Sequence, residues 1–240
     1  MAKKEMEVVK GLDIEKYMGR WYEIASFPSR FQPKNGVNTR ATYTLNPDGT
    51  VHVLNETWSD GKRGFIEGTA YKSDPNSDEA KLKVKFYVPP FLPIIPVTGN
   101  YWVLYIDEDY RYVLIGEPSR TSLWICFYVF HINNSGCWMN TIFEQKKLSS
   151  LNNKIMCLFG KNYHHRSKTT TQLFTTHLYD ILKQPQLDEE IHYMLVQKAK
   201  DEGYDVEKLH KTPQSDPPPK SEDAPADTKG FWWIKSIFGK

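Results

Sequence analysis

Gly19-Arg20-Trp21-Tyr22-Glu23-Ile24-Ala25 begins the β-rich part of a chain of 240 residues. Eight short segments are rich in Val, Thr, Tyr, Phe, Ile and Trp, which favour β-strands, and turn residues separate them. Hairpin-linked strands at this spacing are typical of a sandwich or an up-and-down barrel, and the pattern itself does not choose between the two. We therefore predict strands over residues 20–27, 39–46, 50–58, 63–72, 81–88, 100–107, 110–116 and 122–125.

Alternation along the strands indicates which side chains face the core. Apolar residues at 82, 84, 86 and 88 face one side of the fifth predicted strand, and lysines at 81, 83 and 85 face the other. Tyr101, Val103 and Tyr105 alternate in the same way, although their neighbours are also apolar.

One amphipathic helix is predicted over residues 187–202, and we expect it to pack on the strands. Gly203 is placed to end it. From about residue 211 the chain becomes a Pro-rich linker that we predict to be too polar to pack. The apolar stripe of the helix consists of Leu187, Ile191, Met194, Leu195 and Ala199.

Composition excludes several classes of protein. Lys and Arg number 31 and Asp and Glu 29, so the net charge of +2 is far from that of a nucleic-acid binder. The sequence holds neither an apolar run long enough to span a membrane nor the apolar stretch of a signal peptide. Three cysteines do not form a disulfide framework, which favours a reducing compartment. We expect a cytoplasmic protein or one that sits on a membrane surface.

Residues 126–180 differ in composition from the rest of the chain. They contain all 3 cysteines and none of the 15 prolines. They show neither strand alternation nor a sustained helical period, so loop or disorder is expected there, with a packed subdomain as the alternative.

Gly19 to Ala25, with Leu12-Asp13 and Tyr17 before it, resembles the Gly-x-Trp opening of the lipocalins. Segments at 41–43, 81–84, 101–104, 112–116 and 118–125 resemble the bacterial lipocalin and apolipoprotein D branch. Residues 203–206 and the Pro-rich tail with its aromatic end resemble the plant temperature-induced lipocalins, and the resemblance covers 1–125 and 181–240. The resemblance implies an all-β fold, an eight-stranded antiparallel up-and-down barrel with one C-terminal helix packed outside and a disordered Pro-rich tail. The implied organisation is barrel and helix in 1–125 and 181–210, a non-family insertion at 126–180, and a tail at 211–240 with an aromatic end.

The resemblance also assigns family-signature residues: Gly19, Trp21, Tyr22, Arg120 and Lys183. In the family the tryptophan closes the barrel floor, and a cation at the end of strand eight lies over it. If residues 126–180 are removed, Ile125 joins Ile181 without a gap, and Lys183 takes the place of the cation. The insertion would then cut strand eight, and we interpret it as a retained intron, the competing interpretation being a lineage-specific loop.

An eight-stranded barrel has room inside for packed side chains or for one small ligand. The resemblance implies a ligand, a small hydrophobic molecule of the fatty acid, sterol or isoprenoid type held inside the barrel. The alternative for each candidate residue is ordinary core packing. From the alternation, the candidate wall residues are Tyr43, Phe86, Tyr101, Val103 and Tyr112, with Asn55 as a polar group.

Two segments are candidates for membrane contact. The loop at 88–97 carries four prolines that we expect to prevent sheet pairing over most of its length, and its apolar residues include Phe91, Leu92, Ile94 and Ile95. In similar plant lipocalins this loop is thought to enter the plasma membrane. Trp232 and Trp233 near the C-terminus are the second candidate. The alternatives are a buried cap and a tail that docks on its own barrel.

Motifs of catalysis, of a cofactor or of a metal site are not found. The Cys and His residues of 126–180 match no familiar spacing, so we predict a protein that is not an enzyme. The resulting hypothesis is a carrier attached peripherally to the plasma membrane, with a protective role under temperature or oxidative stress that only the resemblance implies. The alternatives are a membrane-attached protective protein without an obligatory ligand, and a lipid-modifying enzyme.

Overall fold

A computed structural model describes residues 5–28, 33, 35–88, 94–128, 187–215 and 219–226. Two helices, α1 and α2, and nine strands lie within these ranges, together with 3₁₀ turns at Val206–Lys208 and Ser221–Asp223. In chain order the elements are α1 Ile14–Tyr17, β1 Gly19–Ser26, β2 Val37–Leu45, β3 Val51–Ser59, β4 Lys62–Lys72, β5 Lys81–Val88, β6 Ile95–Ile106, β7 Tyr112–Gly116, β8 Leu123–Tyr128, α2 Glu189–Asp201 and β9 His210–Lys211.

Strands β1 to β8 form a closed antiparallel barrel. Each strand pairs with the next, and β1 pairs with both β2 and β8. Each of these strands therefore has a neighbour on both sides over at least part of its described length. The barrel topology, which the strand pattern alone left open, is confirmed.

The two ends of the barrel differ. The N-terminal segment and α1 lie at the floor, where Gly11 N donates to Asp78 O at 2.8 Å and Asp13 N donates to Tyr110 Oη at 2.9 Å. The β1–β2, β3–β4, β5–β6 and β7–β8 connections lie at the opposite end, because successive strands run in opposite directions. We call this the upper end.

Helix α2 packs on the outside of the barrel, as predicted. Leu195 and Ala199 are fully buried in one cluster with Leu114 and Ile125 of the sheet. The Asp188 side chain accepts from Glu190 N at 2.8 Å and caps the N-terminus, and Gly203 at φ +83° ends the helix in the left-handed region, which favours glycine.

Strand β8 is continuous, which corrects the expectation that the insertion cuts it at residue 125. Cys126 pairs with both Val113 of β7 and Glu23 of β1, and Tyr128 pairs with Trp21. The three residues after Ile125 continue the alternation that the strand needs, so the barrel closes through them.

The loop between β5 and β6 is shorter than expected. Strand β6 begins at Ile95, and Ile95, Pro96 and Val97 pair with the end of β5. The upper half of β6 pairs with β5 on one side, whereas its pairs with β7 begin only at Trp102. Pro96 is tolerated because an unpaired edge requires no N–H donor.

The described part of the tail packs on the barrel, so the expectation of a disordered tail is wrong for residues 211–215 and 219–226. Strand β9 pairs with Ala25 and Ser26 of β1. Thr212 N donates to Ile24 O at 2.9 Å, and Asn38 N donates to Pro213 O at 2.8 Å. These hydrogen bonds attach the polar segment to the barrel.

Candidate functional site in the barrel interior

Three tyrosines form a hydrogen-bonded group in the lower interior of the barrel. The hydroxyls of Tyr17 and Tyr101 are 2.6 Å apart, and those of Tyr43 and Tyr101 are 3.1 Å apart. The rings of Tyr17 and Tyr43 stack with centroids 5.7 Å apart. Burial raises the pKa of each phenol above its usual value, so the group stays neutral and presents hydroxyl donors and acceptors.

Trp21 closes the floor beside this group. Its Nε1 donates to Tyr17 O at 2.9 Å, and its ring lies 4.9 Å from the ring of Tyr17. The ring of Tyr128 meets Trp21 edge-on at 5.2 Å. Gly19 has φ +110°, and a Cβ there would lie 2.8 Å from Tyr128 Cε2, so the close packing of this floor requires glycine.

Apolar side chains line the interior above the tyrosines. Val51, Val53, Ala70 and Val84 form one buried cluster, against which Phe86 packs. Phe86 and the tyrosines at 43 and 101 face inward yet keep part of their surface accessible. Inward-facing rings with accessible surface indicate that side chains do not completely fill this part of the barrel.

The structure brings most of the predicted wall residues together. Tyr43, Phe86 and Tyr101 belong to the interior cluster, and Val103 is fully buried in the adjoining one. Asn55 follows Val51 and Val53 at the spacing of two that places it on the same face of β3.

Tyr112 does not belong to this wall, and its prediction is wrong. Val113 and Ile115 of β7 point inward, so Tyr112 points outward and packs in the cluster beneath α2. Tyr105 is also outside, because the β6–β7 register shifts between Val103 and Tyr105. The two tyrosine rings stack at 6.5 Å.

Side chains of two turns hold the barrel ends. Asp107 accepts from the amides of Arg111 and Tyr112 in the β6–β7 turn. Arg120, at φ +63°, donates through Nε to Glu202 O and so ties the β7–β8 turn to the end of α2. Tyr22 is fully buried in β1. Lys183 lies outside the described residues.

Of the predicted membrane-contact residues, the structure describes two. Ile94 is 65% exposed and Ile95 is 55% exposed, both at the upper end. Phe91, Leu92, Trp232 and Trp233 lie outside the described residues. Within the described ranges, no helix combines the length and apolar character needed to cross a membrane.

Sequence reasoning missed a buried ion cluster on the outer face of the barrel. Arg40 is 2% exposed and Glu56 is 1% exposed, and Arg40 Nε donates to Glu56 Oε2 at 2.8 Å. Arg63 Nε donates to Glu56 Oε1 at 2.6 Å, and the guanidinium of Arg40 lies 4.6 Å from the ring of Trp58. Burial raises the pKa of Glu56, but hydrogen bonds from Arg40, Ser221 and Arg63 outweigh it and lower the pKa to about 2.

The described residues offer little for metal or thiol chemistry. Among them, no three His, Cys, Asp or Glu side chains are grouped to hold a metal ion. Cys126 is a buried free thiol, and burial, with a smaller effect of Glu23, raises its pKa well above the usual value. A raised pKa disfavours the reactive thiolate.

Comparisons with known proteins agree with this architecture. The family model described as "Lipocalin-like domain" matches residues 12–132. Temperature-induced lipocalin-1 of Arabidopsis thaliana is 60% identical over 238 residues, which cover 99% of this chain and 98% of that protein. Outer membrane lipoprotein Blc of Escherichia coli K12 is 36% identical over 120 residues, covering 49% of this chain and 63% of that protein. Apolipoprotein D of Mus musculus is 36% identical over 127 residues, covering 52% of this chain and 59% of that protein.

Proposed function

Since the chain belongs to the lipocalin family, we propose that it binds a small lipophilic ligand inside its barrel while attached peripherally to a membrane. The proposed ligand is of the fatty acid, sterol or isoprenoid type, and the proposed membrane is the plasma membrane, reached from the cytoplasm. We also propose a protective role under temperature or oxidative stress. The word "temperature-induced" in the name of the Arabidopsis relative supports the first of these stresses.

The accessible apolar interior carries the ligand proposal. Phe86 and Tyr101 face inward and retain accessible surface, beside the fully apolar cluster around Val53. An alkyl chain placed there would be desolvated, at about 0.8 kcal/mol per buried CH₂. The tyrosine hydroxyls below it offer hydrogen bonds to a polar head group.

The ligand proposal is tested by titrating the chain with cis-parinaric acid, a fluorescent fatty acid. Phe86→Gln is expected to weaken binding about tenfold, because it replaces an apolar wall group by a polar one. Tyr87→Gln is the matched control, since Tyr87 is the next residue of β5 and lies 43% exposed on the outer face. Equal effects of the two substitutions would contradict binding inside the barrel.

The exposed isoleucines at the upper end support the membrane proposal. Ile94 and Ile95 are adjacent, apolar and more than half exposed, as expected of residues that contact a bilayer surface. Substituting both by serine is expected to reduce vesicle co-sedimentation several-fold. Tyr193→Ser on α2 is the control, because Tyr193 is 66% exposed but lies on the helix.

The alternative functions make different predictions. A protective protein without an obligatory ligand would bind vesicles but not cis-parinaric acid. A lipid-modifying enzyme would convert an added lipid to product, which mass spectrometry of the incubated lipid would detect.

The segment at 126–180 remains, in our proposal, the translation of a retained intron. The gapless join of Ile125 to Ile181 supports it. Sequencing of the messenger across this junction is expected to find a shorter form in abundance, and finding only the long form would favour the lineage-specific loop.

A further inference from the structure

The tyrosine group of Tyr17, Tyr43 and Tyr101 leaves one hydroxyl proton unused. Three phenol hydroxyls carry three protons, and the two hydrogen bonds among them, at 2.6 Å and 3.1 Å, use two of these protons. Within the described part of the chain, no further hydrogen bond reaches the three oxygens. The group therefore offers a ligand one donor, together with free lone pairs on the phenol oxygens.

The surface of the tyrosine group that a ligand can reach belongs to Tyr43 and Tyr101. Both rings face the interior and keep accessible surface, whereas Tyr17 is 4% exposed. The apolar cluster that contains Val53 and Val84 packs against the same two rings. A ligand whose apolar part lies on this cluster can therefore place its polar end at the tyrosine hydroxyls.

The described neighbours of the tyrosine group carry no positive charge. The titratable groups that influence the pKa of Tyr17 and Tyr43 are the other phenols of the group and the thiol of Cys126. Glu23 pairs with Cys126 across the sheet and raises the pKa of this thiol, as an anion does. A ligand anion beside the hydroxyls would therefore find no charge partner among the described residues.

Alternation places the positive charges of the strands elsewhere. On β5 the lysines at 81, 83 and 85 face outward, opposite to Val84 and Phe86. Arg40 and Arg63 belong to the ion cluster on the outer face. Three cations at the floor end bind partners at the rim: Lys16 Nζ lies 3.3 Å from Asp13 Oδ2, Lys72 Nζ donates to Ser77 O at 3.0 Å, and Arg111 Nε donates to Asp107 Oδ2 at 3.0 Å.

We propose that the barrel interior selects a lipid alcohol over a lipid carboxylate of the same chain. A ligand hydroxyl accepts the unused phenol proton and donates its own proton to a free lone pair, so both partners are satisfied. A carboxylate only accepts, and its charge stays unpaired. The ligand class is therefore a long-chain, sterol or isoprenoid alcohol. This inference rests on the ligand binding proposed above and narrows its ligand class.

Burial acts on a ligand carboxylate as it acts on the phenols. It raises the pKa of each tyrosine because the charged form loses its hydration. A carboxylate in the same place loses its hydration too, and one hydrogen bond from a phenol does not replace it. An alcohol carries no charge and loses less on leaving water.

The test compares three probes that share one fluorescent chain: cis-parinaric acid, its methyl ester and cis-parinaryl alcohol. Each is titrated into the full chain at neutral pH. The alcohol is expected to bind about tenfold tighter than the acid and about threefold tighter than the ester. The ester is the control for charge, because it is uncharged and more apolar than the alcohol but cannot donate a hydrogen bond.

The outcomes separate this inference from the ligand proposal. If the acid binds as tightly as the alcohol, the interior does not discriminate against charge and the inference is wrong. If the ester binds as tightly as the alcohol, the hydroxyl is not recognised and the inference is wrong again. In both cases the proposed ligand binding stands, whereas it fails together with the inference if none of the three probes binds.

Tyr43→Phe with Tyr101→Phe tests the recognition by the tyrosine group. The double substitution removes the two hydroxyls that a ligand can reach and keeps both rings. The preference for the alcohol over the ester is expected to disappear, while the ester still binds and so reports an intact interior. An equal loss for the two probes overturns the inference, since the hydroxyls would then serve the structure of the barrel only.

Asn55→Lys covers the case in which the double variant does not melt cooperatively. Asn55 pairs with Ala41, two residues from Tyr43, so the substitution adds a cation to the inner face. The affinity ratio of acid to alcohol is expected to rise at least about tenfold. His52→Lys is the matched control on the outer face of β3, where the His52 side chain is 42% exposed, and should leave the ratio unchanged. An unchanged ratio in Asn55→Lys overturns the inference.

Discussion

Glu56→Gln probes the buried ion cluster on the outer face of the barrel. The substitution keeps the size of the side chain and removes its charge, while Arg40 remains charged and buried. Removing one partner of a buried ion pair costs about 3–5 kcal/mol, because the other charge is left uncompensated. We therefore expect the variant to be less stable at pH 7 by about that amount, a decrease in melting temperature of roughly 10 °C.

The pH dependence identifies the charge as the source of this stability. A carboxyl whose pKa falls from 4.5 to about 2 on folding contributes about 3 kcal/mol at neutral pH. Since the folded pKa is the lower one, this contribution is present above the unfolded pKa. It is lost progressively as the pH falls from about 5 to about 2.

The assay is urea unfolding of the wild type and the variant at a series of pH values from 7 down to 3. The difference in free energy of unfolding is expected to narrow as the pH falls, because Glu56 of the wild type becomes protonated in the unfolded chain. Glu67→Gln is the control, since the Glu67 side chain is 59% exposed. The free energy of unfolding of this variant should change with pH as that of the wild type does. A difference that stays constant with pH would refute the reasoning.

Three further substitutions test packing and backbone geometry. Leu195→Ala at the helix–barrel contact is expected to lower the free energy of unfolding by about 2–5 kcal/mol, measured by thermal unfolding. The exposed Tyr193→Ala should stay within about 0.5 kcal/mol of wild type, and similar losses in the two variants would mean that α2 does not pack as described. Tyr101→Phe removes the hydroxyl shared by two other tyrosines and should lower the urea midpoint by the equivalent of about 1–2 kcal/mol; an unchanged midpoint would show that these bonds add nothing. Gly203→Ala is expected to lower the free energy of unfolding by about 1 kcal/mol, because its φ of +83° disfavours a side chain. Gly99→Ala is the control in calorimetry, since a Cβ at Gly99 meets no atom within 4 Å.

The fold was predictable because its signals are local. Strand alternation and turn residues place every barrel strand to within a few residues, apart from the early start of β6. Pro96 normally indicates a break in a strand. It is accepted in β6 because this part of the strand pairs only with β5, and that arrangement depends on the tertiary structure. The apolar stripe and Gly203 likewise located helix α2.

Alternation predicted the inward-facing residues of the barrel only where a strand kept its period of two. It placed Tyr43 and Phe86 correctly on the inner face, but the register shift after Val103 carries no sequence signal and turns Tyr105 outward. The docked part of the tail was missed for another reason. A Pro-rich polar segment buries little apolar surface, and its attachment depends on hydrogen bonds to Arg40 and Glu56, which are distant in sequence.

Strand β8 has a consequence for how such a chain tolerates a change in its coding sequence. Its last three positions are occupied by Cys126, Phe127 and Tyr128, and in the shortened chain Ile181, Leu182 and Lys183 would succeed Ile125 in the same order of faces. Tyr128 lies opposite Trp21, and under the retained-intron proposal Lys183 would take that position in the shortened chain. The barrel therefore requires that the residues after Ile125 alternate between the inner and the outer face, and it accepts different side chains at these positions. A change of coding sequence at a splice junction after Ile125 would then leave the sheet closed.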